Sequence, residues 1–185
     1  MAAAKTEHCL SAPARHARER MPPPSFSLRN AAPADWDGLI QLVIALAEFE
    51  KLEPPDDAAR SRLRNDAFGD RPKFETWLAF ADGVAAPVGY AIFLETYSTF
   101  LALPSLYIED VFVLPEHRRQ GIGGALLKKA VELAHERGCG RVEWAALDWN
   151  INARQVYEQR LGAKHLNEWC LYRMTREDME RYLAK

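Results

Sequence analysis

Apolar and polar positions alternate along this chain with two different periods, and each change of period marks an element. Phe26-Ser27-Leu28-Arg29 alternates with a period of two, as a short strand does. Asp35 then stands as a helix cap before an apolar stripe of Leu39, Leu42, Val43 and Leu46, which runs at helical spacing to about Glu50. After Pro54 and Pro55, Asp56 or Asp57 opens a second helix that fades near Gly69. Three strand-like runs follow, over 74–81, 88–96 and 106–113, with a turn at Asp82-Gly83. The next helix is the strongest in the pattern. Ile122, Leu126, Ala130 and Leu133 face inward, Lys128, Lys129, Glu132 and Glu136 face outward, and Gly138 stops it near Arg137. A nearly continuous apolar run over 141–147 reads as a central strand. A short helix over 151–160 ends at Gly162, strands are expected over 163–166 and 170–174, and a polar helix closes the chain. The order is α/β with an antiparallel front half. Residues 1–25, with Pro22-Pro23-Pro24 and no periodicity, are expected to be a disordered extension, and residues 26–185 the folded domain.

Composition narrows the function classes. The 185 residues carry 24 Lys and Arg against 26 Asp and Glu, a net charge of −2, which argues against a general nucleic-acid binder. No apolar run approaches the ~20 residues that cross a bilayer, and the N-terminus lacks the apolar region of a secretory signal. Cys9, Cys139 and Cys170 are odd in number and far apart, so neither a disulfide framework nor a zinc site is expected. His117, His135 and His165 have no ligand spacing, so no metal is expected either. A reducing, cytoplasmic setting fits this usage.

The chemistry concentrates where Val111-Phe112-Val113 gives way to Arg118-Arg119-Gln120-Gly121-Ile122-Gly123-Gly124. Amides at a helix start lack intrahelical partners and the helix dipole is positive there, so glycines at that point let an anion reach the main chain. A pyrophosphate is the natural candidate. A P-loop would need Lys-Ser or Lys-Thr after its last glycine, and Leu126 stands where a dinucleotide fingerprint has its third glycine. A methyltransferase site for S-adenosylmethionine remains an alternative, since a strand ending in Asp148 follows the helix. The seven residues between strand and glycines, and their cationic character, weigh against it.

Arg118-Arg119-Gln120-Gly121-Ile122-Gly123 resembles the R-x-x-G-x-G signature of the GNAT superfamily of N-acetyltransferases. Asn150-Ile151-Asn152-Ala153-Arg154-Gln155-Val156-Tyr157, followed by Leu161-Gly162-Ala163, resembles that superfamily's second motif, in the same order along the chain. Within the superfamily, Leu46–Leu52, Phe68-Gly69-Asp70, Tyr107-Ile108-Glu109-Asp110 and Leu147-Asp148-Trp149-Asn150 are similar to the diamine and thialysine acetyltransferases. The resemblance implies a single-domain fold, a mixed central sheet of about six or seven strands flanked by about four helices. It also implies acetyl-CoA as co-substrate, a homodimer, and a small-molecule amine acceptor rather than nucleic acid or membrane.

Roles follow residue by residue from that likeness. Main-chain amides of a splayed strand at Val111, Phe112 and Val113 would hold the pantetheine arm. Arg118, Arg119, Gln120, Gly121, Ile122, Gly123 and Gly124 would hold the pyrophosphate, and Asn150, Asn152 and Ala153 would lie along the arm. Tyr157 is the candidate general acid for the departing thiolate. Glu109, two residues before Val111 and so on its face of the strand, is the candidate base, directly or through a water. Phe49, Glu50, Glu109, Glu168 and Trp169 would line the acceptor pocket, where carboxylates and aromatic faces attract a cation. Ser98 stands where polyamine-specific members carry an acidic residue, which points to thialysine, lysine or a short diamine rather than a long polyamine. A non-catalytic acetyl-CoA-binding module is the remaining alternative.

Overall fold

Residues 25–185 are described in the structure, a computed structural model, and the expected N-terminal extension lies outside them except for Ser25. Five strands form one open sheet in the order β1 (Phe26–Asn30), β2 (Glu75–Ala81), β3 (Gly89–Ser98), β4 (Leu103–Val113) and β5 (Arg141–Trp144). The first three pairings are antiparallel. The helices are α1 (Trp36–Glu50), α2 (Asp57–Phe68), α3 (Ile122–Glu136), α4 (Ile151–Gln155) and α5 (Arg176–Leu183). The α/β class and an open mixed sheet agree with the expectation; the strand count is lower.

Strand alternation divides the core between two faces. Leu78, Tyr90, Ile92 and Phe112 pack against Leu39 and Leu42 of α1. Their neighbours Ala79, Ala91 and Val113 point the other way, and Val113 lies beside the start of α3. On α3 the buried stripe is Ile122, Leu126, Leu127, Ala130, Leu133 and Ala134, which contains all four positions expected from the sequence. Each buried Leu or Ile contributes roughly 1.5–3 kcal/mol relative to exposure. These two helices therefore hold the sheet from both faces.

Three expectations are corrected. Asp35 occupies the cap position of α1 but makes no side-chain cap bond there. Its carboxylate is taken by Arg29, at 2.7 Å to each oxygen, and by the Ala32 amide at 2.8 Å. The Arg29 bond is the main reason its pKa lies below the ordinary value. The strands expected over 163–166 and 170–174 do not form. Leu166, Trp169, Leu171, Tyr172 and Met174 are exposed, so the alternation there meets no surface that would bury one face of a strand. The short helix over 151–160 is α-helical only to Gln155 and widens to a π turn over Val156–Arg160. The described residues fall into two compact units, one ending at Val142 and one running from Glu143 to Lys185.

Candidate active site

In the first unit, the loop between β4 and α3 has the backbone that an anion cradle needs. Arg119 and Gly121 are both left-handed, with φ of 62° and 91°. The first intrahelical bond runs from the Ala125 amide to the Gly121 carbonyl at 2.9 Å, so the amides of Ile122, Gly123 and Gly124 stand outside the helix ladder. A Cβ built on Gly124 would meet nothing within 4 Å, and one on Gly123 only a Val113 methyl at 3.7 Å. Glycine lowers helix stability by ~1 kcal/mol relative to alanine, so internal packing does not account for these two.

The side chains of this loop divide differently from expectation. Arg119 is exposed. Arg118 instead folds back: its Nε donates to the Val113 carbonyl at 2.9 Å, and its guanidinium lies 4.8 Å from the Phe49 ring centre and 5.5 Å from that of Phe112. Gln120 Nε2 donates to the Glu116 carbonyl at 3.4 Å. Arg118 thus braces the loop against the end of α1. Val111, Phe112 and Val113 stay in register with Ala91, Tyr90 and Gly89, so on the β3 side the strand is not splayed there.

The irregularity lies just upstream. Ile108 pairs with Phe93 and Asp110 with Ile92, leaving Glu109 as the extra residue of a β-bulge. Glu109 is exposed. Asp110 is half-buried and accepts a hydrogen bond from the Tyr90 hydroxyl at 3.1 Å. Burial lifts the Asp110 pKa to about 6; the Tyr90 bond pulls it down, and the charges of Glu109 and Glu50 push it up. Glu50 and Phe49, expected together at the acceptor, end α1 on this same side, and the Phe49 ring sits 6.3 Å from that of Phe112. The structure therefore gathers Phe49, Glu50 and Glu109 around a carboxylate, Asp110, to which sequence reasoning gave no role. Its only signal was its place beside Glu109 in Tyr107-Ile108-Glu109-Asp110.

In the second unit, Tyr157 sits in the π turn, its ring edge-on to Trp144 at 5.2 Å and 70°. Such turns are enriched at functional sites. Asn150 caps α4, its Oδ1 accepting the Ala153 amide at 3.3 Å, while Asn152 is exposed and Ala153 half-buried. Glu168 and Trp169 are exposed. Ser98, in the first unit, is 3% exposed and its hydroxyl accepts the Leu101 amide at 3.3 Å, so it closes the β3–β4 hairpin.

Residues 36–163 match the model of the Acetyltransferase (GNAT) family. The chain belongs to that family. A thialysine N-epsilon-acetyltransferase from Bos taurus is 35% identical over 169 residues, covering 85% of this chain and 97% of its own length. An L-ornithine N5-acetyltransferase from Arabidopsis thaliana is 42% identical over 92 residues, covering 50% of this chain and 40% of that one. An aminoglycoside N-acetyltransferase, solved in complex with CoA, matches with a TM-score of 0.64 at 21% identity over 82% of this chain and 95% of its own; at that identity the likeness is one of fold. The enzyme class is thus an N-acetyltransferase, which sets aside the methyltransferase alternative. Among the described residues, no helix of this acetyltransferase is long and apolar enough to cross a membrane.

Proposed function

We propose that this GNAT enzyme transfers the acetyl group of acetyl-CoA to the primary amine of a small cationic acceptor, of the thialysine, lysine or short-diamine kind, in a ternary complex. The observation that carries the co-substrate is the glycine cradle: Gly121 in a left-handed conformation, then Gly123 and Gly124 with no packing reason to be glycine. The CoA complex of the fold neighbour supports it. The amides of Ile122, Gly123 and Gly124, with Arg119 nearby, would hold the pyrophosphate. Asn150, Asn152 and Ala153 are the residues that would lie along the arm.

Acetyl-CoA supplies an activated acetyl thioester. The chain supplies charge and protons. Glu50 and Glu109 attract the ammonium, and Phe49 adds an aromatic wall. Tyr157 would supply its phenolic proton to the departing sulfur. Glu168 and Trp169 remain candidates for the acceptor pocket. A small acceptor is favoured because Glu50, Glu109 and Asp110 act at one place, whereas a long polyamine needs anchors spread along its length. The names of the thialysine and ornithine enzymes support the same class. Ser98 adds nothing to this choice, because it is buried in the hairpin. A cytoplasmic homodimer completes the reading; the exposed Phe100, Leu101 and Leu103 support the dimer, and light scattering at micromolar concentration checks it.

The test is product formation from acetyl-CoA and a panel of thialysine, lysine, ornithine, putrescine, spermidine and spermine, beside calorimetric titration of CoA. Higher kcat/KM for the short amines is expected, and Tyr157→Phe should lower turnover ~10²–10⁴-fold with little change in CoA affinity. Preference for spermine overturns the acceptor assignment. CoA binding without acetylation of any amine would leave a binding module.

A further inference from the structure

We propose that Asp110 takes the proton of the incoming ammonium and that Tyr90 is the positioning residue that holds its carboxylate for this. The inference rests on the amine-acetyltransferase reading above and deepens it.

Tyr90 is 0% exposed, within the cluster of Leu39, Leu42, Leu78, Ile92 and Phe112. A phenylalanine would fill that volume without bringing a hydroxyl that must find a partner. The partner is Asp110, one strand away and on the same face, with Oη donating to Oδ2 at 3.1 Å. Burial first, then Asp110 itself, hold the Tyr90 phenol well above its ordinary pKa, so it stays a donor. The bulge at Glu109 interrupts the alternation of β4. Ile108 lies across from Phe93, while Asp110 lies across from Ile92, in the row of Tyr90 and Phe112. Of the two adjacent carboxylates, the bulge leaves Glu109 exposed and Asp110 half-buried.

The groups acting on Asp110 are Tyr90 from β3, Glu50 from α1 and its neighbour Glu109. Arg118, from the following loop, lies over Phe112 and Phe49. Among the described residues no lysine, arginine or histidine forms an ion pair with Asp110. A desolvated carboxylate held by one phenol and faced by two further carboxylates is complementary to a cation that can give up a proton. The step balances: one proton passes from the ammonium to Asp110, the nitrogen keeps its electron pair as the nucleophile, and the carboxylic acid returns the proton to solvent. A base whose pKa lies near the working pH is the most effective one, and Asp110, at about 6, is closer to it than an ordinary carboxylate.

The experiment combines the pH profile of kcat/KM for thialysine with carbon-detected NMR titration of the Asp110 carboxyl in the free protein. In wild type, the acidic limb and the NMR titration should coincide. Tyr90→Phe removes a bond that lowers the Asp110 pKa, so limb and titration should both move to higher pH. Glu50→Gln and Glu109→Gln remove charges that raise it, so both should move to lower pH. Asp110→Asn should erase the limb and cut kcat ~10²–10⁴-fold. Circular dichroism checks that the variants fold. A limb that survives in Asp110→Asn but vanishes in Glu109→Gln overturns the inference. So does an Asp110 carboxyl that titrates with the surface aspartates, or one that Tyr90→Phe does not move. These NMR outcomes hold whatever the acceptor; absence of turnover with every amine, with CoA still bound, instead overturns the acceptor reading.

Discussion

At Arg119 and Gly121 the main chain turns left-handed and presents amides, whereas in the preceding strand, at Asp110, a side chain is held by another side chain. In the loop, the proposed affinity for CoA rests on backbone geometry, so any side chain that disturbs φ or fills the space above the glycines is expected to act on binding. On the carboxylate face, the backbone only sets positions. Tyr90, Glu50 and Glu109 act on the charge of Asp110, so substitutions there are expected to act on the proposed proton transfer and on pH dependence. The contrast teaches which experiments separate the two. Variants of the loop should move CoA affinity and leave the acidic limb in place, and variants of the carboxylate face should do the reverse.

The largest effect on CoA affinity is expected at Gly121. Its φ of 91° is costly for a β-branched residue, and a left-handed conformation forced on one is worth about 1–3 kcal/mol. Gly121→Val therefore either strains the loop or reshapes it, and in both cases the amides lose their alignment. CoA affinity, read by calorimetry, should fall roughly 10²-fold, since each 1.4 kcal/mol is about tenfold. Unchanged affinity would mean that the pyrophosphate binds elsewhere.

How far each region was legible in the sequence follows from the same difference. The loop is written locally: its arginines, glycines and helix stripe lie within a dozen residues, and both motif and periodicity point to it. The helix stripe of α3 was read correctly for the same reason. Asp110 depends on residues from α1, β3 and β4, and on a bulge that no local pattern announces. Alternation placed Glu109 on the face of Val111 but gave no way to see that the ladder skips it. Asp35 stands at the cap position of α1 as expected, but its carboxylate is diverted from the cap bond because its partner, Arg29, comes from the preceding strand. The strands expected over 163–166 and 170–174 rest on alternation alone. Alternation becomes a strand only where one face can be buried, and Leu171 and Tyr172 remain 79% and 89% exposed.

A second, smaller effect sharpens the carboxylate side. Folding raises the Asp110 pKa from an ordinary 3.8 to about 6, so the ionised group costs stability in the native state. Below about pH 4 the carboxyl is protonated in both folded and unfolded chains, and the cost is absent. It grows as pH rises toward 6 and is constant above. Asp110→Asn removes the charge while its amide oxygen can still accept the Tyr90 hydroxyl. The variant should therefore be inactive yet more stable than wild type above pH 6, by roughly 1–2 kcal/mol after allowance for partial solvent exposure. The gain should fade toward pH 4. Denaturant unfolding at pH 4, 6 and 8 reads it directly; a stability loss at pH 8, or a gap that ignores pH, would remove the desolvated charge from the account.

The smallest expected effect is also the sharpest separation of loop from fold. Gly124 lies in the first turn of α3, and a Cβ there would meet no atom within 4 Å. In the free protein, Gly124→Ala should therefore be sterically silent, and by helix propensity alone it should stabilise the fold by ~0.5–1 kcal/mol. With a phosphate seated against the main chain, the same methyl group occupies the space that the ligand needs. Thermal unfolding without ligand should shift upward by a few degrees, while CoA affinity falls several-fold, so that the stabilisation added by saturating CoA shrinks in the variant. Opposite signs for stability and affinity are expected of a glycine kept for its ligand. If Gly124→Ala raises stability and leaves CoA affinity intact, the open space above Gly124 is not where the phosphate sits, and the cradle is confined to Gly121, Ile122 and Gly123.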